Sequence, residues 1–132
     1  MKSASFATAE LSDAWIDGDD SARWRSAAGE TGAGSGTSFL EVAPGCRLPR
    51  HTDSAEETIV VVDGVASVTV GDEEGEVPAG GVALVPECVP HEVRNAGDGP
   101  LRFVALYADT EVVTTYEQTI QPGGERERAP LG

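Results

Sequence analysis

The chain has only two histidines, and each stands beside residues with which it could do chemistry. His51, Asp53 and Glu57 fall within a few positions of one another, and His91 follows the turn-forming run Pro86-Glu87-Cys88-Val89-Pro90. Neutral imidazoles together with carboxylates form a mixed nitrogen and oxygen donor set suited to a divalent transition ion. Two His and one carboxylate match the facial arrangement that leaves three coordination positions open on Fe(II). Asp53 would add a fourth, hard, anionic oxygen, moving preference toward Mn, Fe or Ni and away from soft Cu(I). Plainer readings exist. A lone His is ordinarily a core or surface residue, Glu57 could be an edge charge, and a turn Asp bonded to its own backbone would explain Asp53 equally well.

These residues need particular elements to meet. A strand rises about 3.3 Å per residue, so His51 and Glu57 would lie roughly 20 Å apart on one continuous strand, too far for one ion. The chain must turn between them. Asp53-Ser54-Ala55 can do this, because Asp and Ser side chains bond nearby backbone groups in place of ladder partners. The spacing predicts a hairpin, with His51 and Asp53 on one face of its first arm and Glu57 entering the second, which continues as the β-branched run Thr58 to Val62. Glu56 then points the opposite way from Glu57, toward solvent.

At fixed spacing, the two stretches resemble the paired motifs of the cupin superfamily, Gly-x5-His-x-His-x3,4-Glu-x6-Gly and Gly-x5-Pro-x-Gly-x2-His-x3-Asn. Gly45, His51, Glu57 and Gly64 are in register with the first motif, and Asp53 stands where the family usually has its second His. Gly80, Pro86, His91 and Asn95 are in register with the second, where Cys88 replaces the middle Gly. The resemblance spans residues 36 to 108. It implies an all-β fold, a single-domain jelly-roll β-barrel (double-stranded β-helix), usually dimeric, with His51, Asp53, Glu57 and His91 as ligands of a divalent transition metal ion such as Fe, Mn, Ni or Zn. Gly45, Gly64, Gly80, Pro86 and Asn95 read as shapers of turns.

The rest of the chain agrees with a β-rich domain. Its 132 residues suit one domain, and with only 5% aromatics the core must rest on Val, Leu, Ile and Ala. β-type runs recur at Ser38 to Val42, Thr58 to Val62, Ala66 to Val70, Val82 to Val85, His91 to Arg94 and Leu101 to Tyr107, separated by Gly, Pro, Asp and Asn. Short strands spaced in this way read as a sandwich or a barrel. Gly71 to Gly75 reads as a turn, and Asp63-Gly64 is a pair that tight hairpins favour. Residues 1–35 are expected as strands, at Leu11 to Ile16 and Ala22 to Arg25, with a Gly-rich loop from Gly29 to Gly36, packing on the barrel. Residues 109–132 are expected to give one strand within Glu111 to Ile120, able to swap across a homodimer, and then a loose tail.

Charge narrows the partners. With 23 acidic and 9 basic residues the formal net charge is −14, which repels phosphate backbones and anionic lipid, so neither nucleic acid nor membrane is expected as a partner. Met1 to Glu10 is neither apolar nor basic enough for a leader, and Cys46 and Cys88 fit free thiols in a reducing, cytoplasmic compartment, with Cys88 a small buried thiol. Arg94, Arg102, Tyr107, Trp15 and Trp24 are possible substrate contacts, though the favoured reading of each Trp is as a cover over an open end of the core or an oligomer contact, the usual place of a large aromatic. The leading expectation is a metal-dependent enzyme of oxygenase, isomerase, cyclase or lyase type acting on a small oxygenated metabolite. The alternatives are a non-catalytic small-molecule binding or sensing module and a purely structural barrel, since fold alone does not choose among them.

Overall fold

Alternation sets the architecture. In Thr58 to Val62, Ile59 and Val61 are fully buried while Thr58 and Val60 are only partly covered, the period of two that puts one strand face into a core. The computed structural model describes residues 1–132 and contains no α-helix. Its strands are β1 (Ser12–Ile16), β2 (Asp19–Thr31), β3 (Gly36–Val42), β4 (Arg47–Asp53), β5 (Glu57–Asp63), β6 (Val65–Val70), β7 (Glu73–Pro78), β8 (Val82–Val85), β9 (His91–Asn95), β10 (Leu101–Tyr107), β11 (Thr114–Ile120) and β12 (Glu125–Arg128).

The strands run in the order β7-β6-β9-β4-β2-β3-β10-β5-β8, with β1 on β2 and β11 set between β4 and β12. The long β2 bends the sheet. It is antiparallel to β3 along much of its length and makes a single parallel pair, Ala22 with Arg47, to β4. Two layers result, β1-β2-β3-β10-β5-β8 and β7-β6-β9-β4-β11-β12, which is the jelly-roll barrel expected from the paired motifs. Val42, Ile59, Val61, Val85, Val93, Leu101 and Phe103 fill the space between the layers with essentially no exposure.

Several local expectations change. Asp53-Ser54-Ala55 does turn the chain, but β4 and β5 do not pair. β4 lies against β9 and β11, β5 against β10 and β8, so the turn is an arch from one layer to the other instead of a hairpin. The Asp63-Gly64 pair is likewise a corner between layers. Gly64 sits at φ 82°, and a Cβ there would lie 2.6 Å from the Pro100 carbonyl oxygen, so only glycine fits. Gly71 to Gly75 is a turn only at its start, because Glu73–Pro78 forms β7, an acidic edge strand paired with β6 along its length. A row of glutamates on an exposed edge discourages pairing with other chains, and this composition hides a strand from propensity. The Gly-rich loop is shorter than expected, since β2 runs on to Thr31.

The C-terminal segment is not loose. Glu125–Arg128 pairs with β11, and Leu131 packs over Gly36 against the core. β11 pairs with β4 through Thr114, Thr115 and Tyr116. Cys46 and Cys88 are free thiols, and Cys88 is exposed instead of buried, because its backbone forms the turn before His91 at φ 60° with the side chain outside.

Candidate metal centre

β4 carries the site. Its inward residues include His51 and Asp53, and the register sets His51 beside His91 on β9 and beside Tyr116 on β11. Glu57 reaches the same point from the other layer, at the start of β5 beside Tyr107. One donor atom from each of His51, Asp53, Glu57 and His91 lies within 4.8 Å of the others, and all four residues are buried. Sequence spacing therefore names four residues that the fold brings together. The turn that makes this possible is fixed by the Ser54 amide donating to the Val113 carbonyl and the Cys88 amide donating to the Asp53 carbonyl.

The imidazoles are held in one orientation. Nδ1 of His51 lies 2.7 Å from the Pro49 carbonyl, and Nδ1 of His91 lies 2.9 Å from that of Val89. A carbonyl only accepts, so both Nδ1 atoms carry the proton and both Nε2 atoms face the cluster, the arrangement in which backbone oxygens orient ligand histidines. Nε2 of His91 is 3.0 Å from Glu57 Oε1 and 3.1 Å from Asp53 Oδ2, and Nε2 of His51 is 3.7 Å from Asp53 Oδ2. Asp53 Oδ1 accepts from the Thr114 hydroxyl at 2.6 Å, while Oδ2 is fully buried without a well-formed hydrogen bond. Asp53 thus spends no side-chain oxygen on its own turn. A buried carboxylate oxygen among two imidazole Nε2 atoms and a second carboxylate is the donor set that a divalent cation would satisfy.

Electrostatics follow from burial and closeness. Burial, reinforced by the charge on His91, lowers the pKa of His51 to about 4, so this ring is neutral at pH 7. Burial also opposes charge on His91, but the close Asp53 and Glu57 carboxylates outweigh it and raise that pKa to about 10. Glu57 is pushed by burial to about 7 despite His91. Burial would raise Asp53 too, yet His91, His51 and the Thr114 hydroxyl hold it below the ordinary carboxylate value.

A cavity of about 440 Å³ opens beside the cluster, walled by Trp24, Leu40, Leu48, Tyr107 and Tyr116. Trp24 is buried, stacked on Tyr116 at 5.4 Å between ring centroids, and so is a cavity residue. Trp15 lies outside it, donating to Asp17 with Arg23 over its ring. Of the other possible contacts, Tyr107 lines the cavity. Arg94 faces Ser67 and Glu74, and Arg102 pairs with Glu41 and Asp63, both away from it. Thr114, Tyr116 and Arg128 are site residues that sequence reasoning passed over. The alternation of Glu111 to Ile120 marks a strand, but only the ladder with β4 shows which side chains enter the barrel.

A jelly-roll barrel with two histidines and two carboxylates converging inside it defines a class of small β-barrel with a possible metal site. A family model described as a cupin domain matches residues 38–107, more than half of the chain, and the protein belongs to the cupin domain family. Among solved structures the chain is similar to the cupin domain of Cnp3 from Schizosaccharomyces pombe, at 17% identity and TM-score 0.66, covering 80% of this chain and 72% of that one. It is also similar to SPY1581 of Streptococcus pyogenes, a conserved protein of unknown function, at 15% identity and TM-score 0.57, covering 69% and 77%. A formate complex of Lactobacillus farciminis oxalate decarboxylase matches at 21% identity and TM-score 0.63, over 75% of this chain and only 31% of the decarboxylase. Likeness at these identities speaks for the fold. No curated protein matches the chain.

Proposed function

We propose that His51, Asp53, Glu57 and His91 hold a divalent transition ion, Fe, Mn, Ni or Zn, and that the protein is a metal-dependent enzyme acting on a small oxygenated metabolite. The observation that carries this is the convergence of four buried donors within 4.8 Å, with both imidazole Nδ1 atoms already committed to carbonyls. A bound ion would supply Lewis acidity or a redox centre for reactions of oxygenase, isomerase, cyclase or lyase type. The chain's own residues do the rest. Trp24, Leu40 and Leu48 give the cavity an apolar wall against which the carbon atoms of a substrate pack. Tyr107 keeps its proton, because burial and the nearby carboxylates push its pKa well above the ordinary value, so it offers a hydrogen bond to a substrate oxygen. Thr114 fixes Asp53 so that Oδ2 stays aimed inward.

Elemental analysis of protein purified without an affinity tag tests this. Near-stoichiometric metal is expected in the native chain, with a sharp fall in both His51→Ala and His91→Ala while the β circular-dichroism signal persists. Unchanged stoichiometry in either variant would remove the site.

A second reading is a non-catalytic small-molecule binding or sensing module. It is favoured by the contacts of His91 with both Asp53 and Glu57, which let the cluster satisfy itself as an ionic core. Activity lost on chelation with the fold retained supports the enzyme; ligand binding to metal-free protein without turnover supports the module. We further take the protein to act as a homodimer in a reducing, cytoplasmic compartment. The outer face of β8 and its neighbours exposes Val62, Val82, Leu84 and Leu106, an apolar surface that a second copy would cover, and both cysteines are free.

A further inference from the structure

We infer that Arg128 anchors the carboxylate of a small amphipathic acid bound in the cavity, making the cavity selective for monoanions. This rests on the small-molecule reading above but not on the ion. In the β11–β12 ladder Arg128 lies directly opposite Thr114. Opposite residues of an antiparallel pair project on the same face, and the Thr114 side chain points inward to Asp53. Arg128 accordingly enters the barrel from its mouth and lines the cavity with a side chain only 26% exposed.

Its charge is uncommitted. No hydrogen bond uses the Arg128 guanidinium, and its one ion pair is a distant 3.8 Å contact from Nε to Glu125, which is itself half exposed. The other arginines near carboxylates are engaged, Arg47 with Asp19 at 2.6 Å and Arg102 with Glu41 at 2.8 Å. A planar fork with five donors, half-buried and free of hydrogen bonds, matches a carboxylate in two parallel bonds. The remaining cavity describes the rest of the occupant. The same cavity is lined by the Trp24–Tyr116 stack, Leu40 and Leu48, which supply apolar wall. The lining also holds the Ser38 hydroxyl, 2% exposed, beside the Tyr107 phenol but without a hydrogen bond of good geometry. That lining calls for an occupant with a carboxylate, an apolar body and a hydrogen-bonding group. Glu10 at the mouth is exposed, so solvent screens it.

Calorimetric titration of chelated, metal-free protein with benzoate and benzamide, probes of equal size differing in charge, tests the inference. A single charge-assisted bidentate contact should give benzoate an advantage of about tenfold or more, falling to near parity in Arg128→Gln and partly retained in Arg128→Lys. Equal binding of the two probes to native protein, no binding of either, or a benzoate preference that survives in Arg128→Gln overturns it. Because no metal is present, failure of the metal reading leaves this result standing. Metal uptake by Arg128→Gln, measured separately, keeps the two claims apart.

Discussion

Loading the proposed centre should release protons, and the number follows from His91 and Glu57. In the metal-free protein His91 holds its second proton to about pH 10 and Glu57 is half protonated near pH 7, while His51 is already neutral above about 4. A coordinated ion needs all four groups deprotonated, so binding at pH 7 should release about 1.5 protons, falling to about 1 at pH 8.5 and toward zero beyond pH 10. Removing the His91 proton at pH 7, three pH units below its pKa, costs about 4 kcal/mol, so apparent affinity should be about a thousandfold weaker than above pH 10. Titration of Zn(II) or Mn(II) by calorimetry in two buffers of different ionisation enthalpy gives the proton count directly. Fewer than about 0.5 protons at pH 7, or a count that does not change between pH 7 and 8.5, would refute the electrostatic reading of the cluster.

The same shifts set the stability of the chelated protein. The raised pKa of His91 stabilises the fold fully below its unfolded value of 6.5, and that contribution is lost as pH rises through about 10. Glu57 acts in the same direction, since its protonated form favours the fold below 4.5 and the benefit is gone above about 7. His51 acts oppositely. Its depressed pKa stabilises above 6.5 and the contribution is lost as pH falls through about 4. Chelated protein should be most stable between about pH 5 and 7 and lose stability steadily toward pH 10, whereas metal-loaded protein should not follow it on the alkaline side.

Asp53→His should keep or improve metal loading, because a third imidazole replaces the carboxylate oxygen; complete loss of metal in elemental analysis would make that oxygen indispensable. Cys88→Gly should raise the thermal midpoint by a degree or two, since relief of roughly 1 kcal/mol at φ 60° outweighs the extra chain entropy of glycine; a clear fall would mean that the exposed thiol contributes contacts. Leu84→Glu, on the apolar outer face, should convert a sedimenting dimer to a monomer without changing metal content, and a native chain that sediments as a monomer at micromolar concentration would remove the dimer.

Local chemistry was readable in the sequence and partner choice was not. The ligand spacing and the turn at Asp53-Ser54-Ala55 follow from strand rise and from the backbone bonding of Asp and Ser, and Glu56 is exposed beside the buried Glu57 as alternation requires. Which strands then pair depends on contacts far apart in sequence. A two-layer barrel sends consecutive strands such as β4 and β5 to different layers, so a turn residue pattern typical of a hairpin becomes an arch. β7 escaped detection because Glu73, Glu74 and Glu76 carry no strand propensity, and its register comes from β6. β12 escaped for a related reason. Its alternating charges resemble a solvated tail until β11 supplies a ladder.

The residue at position 53 and the residue at position 128 bear on one another through charge. With two neutral imidazoles and two carboxylates around it, a divalent ion in the proposed site leaves a centre of zero net charge, whereas the family's usual third imidazole would leave it at plus one. A neutral centre draws an anionic ligand less strongly, and the overall charge of −14 opposes its approach. Selectivity for a monoanion then requires a cation placed elsewhere on the cavity wall. Arg128 is the one basic side chain, apart from His51, that lines the cavity, and it reaches its place only because β12 pairs with the strand whose Thr114 holds Asp53. The residue that would make the proposed centre neutral and the strand that would bring in the compensating charge are thus joined by a single rung of the β11–β12 ladder.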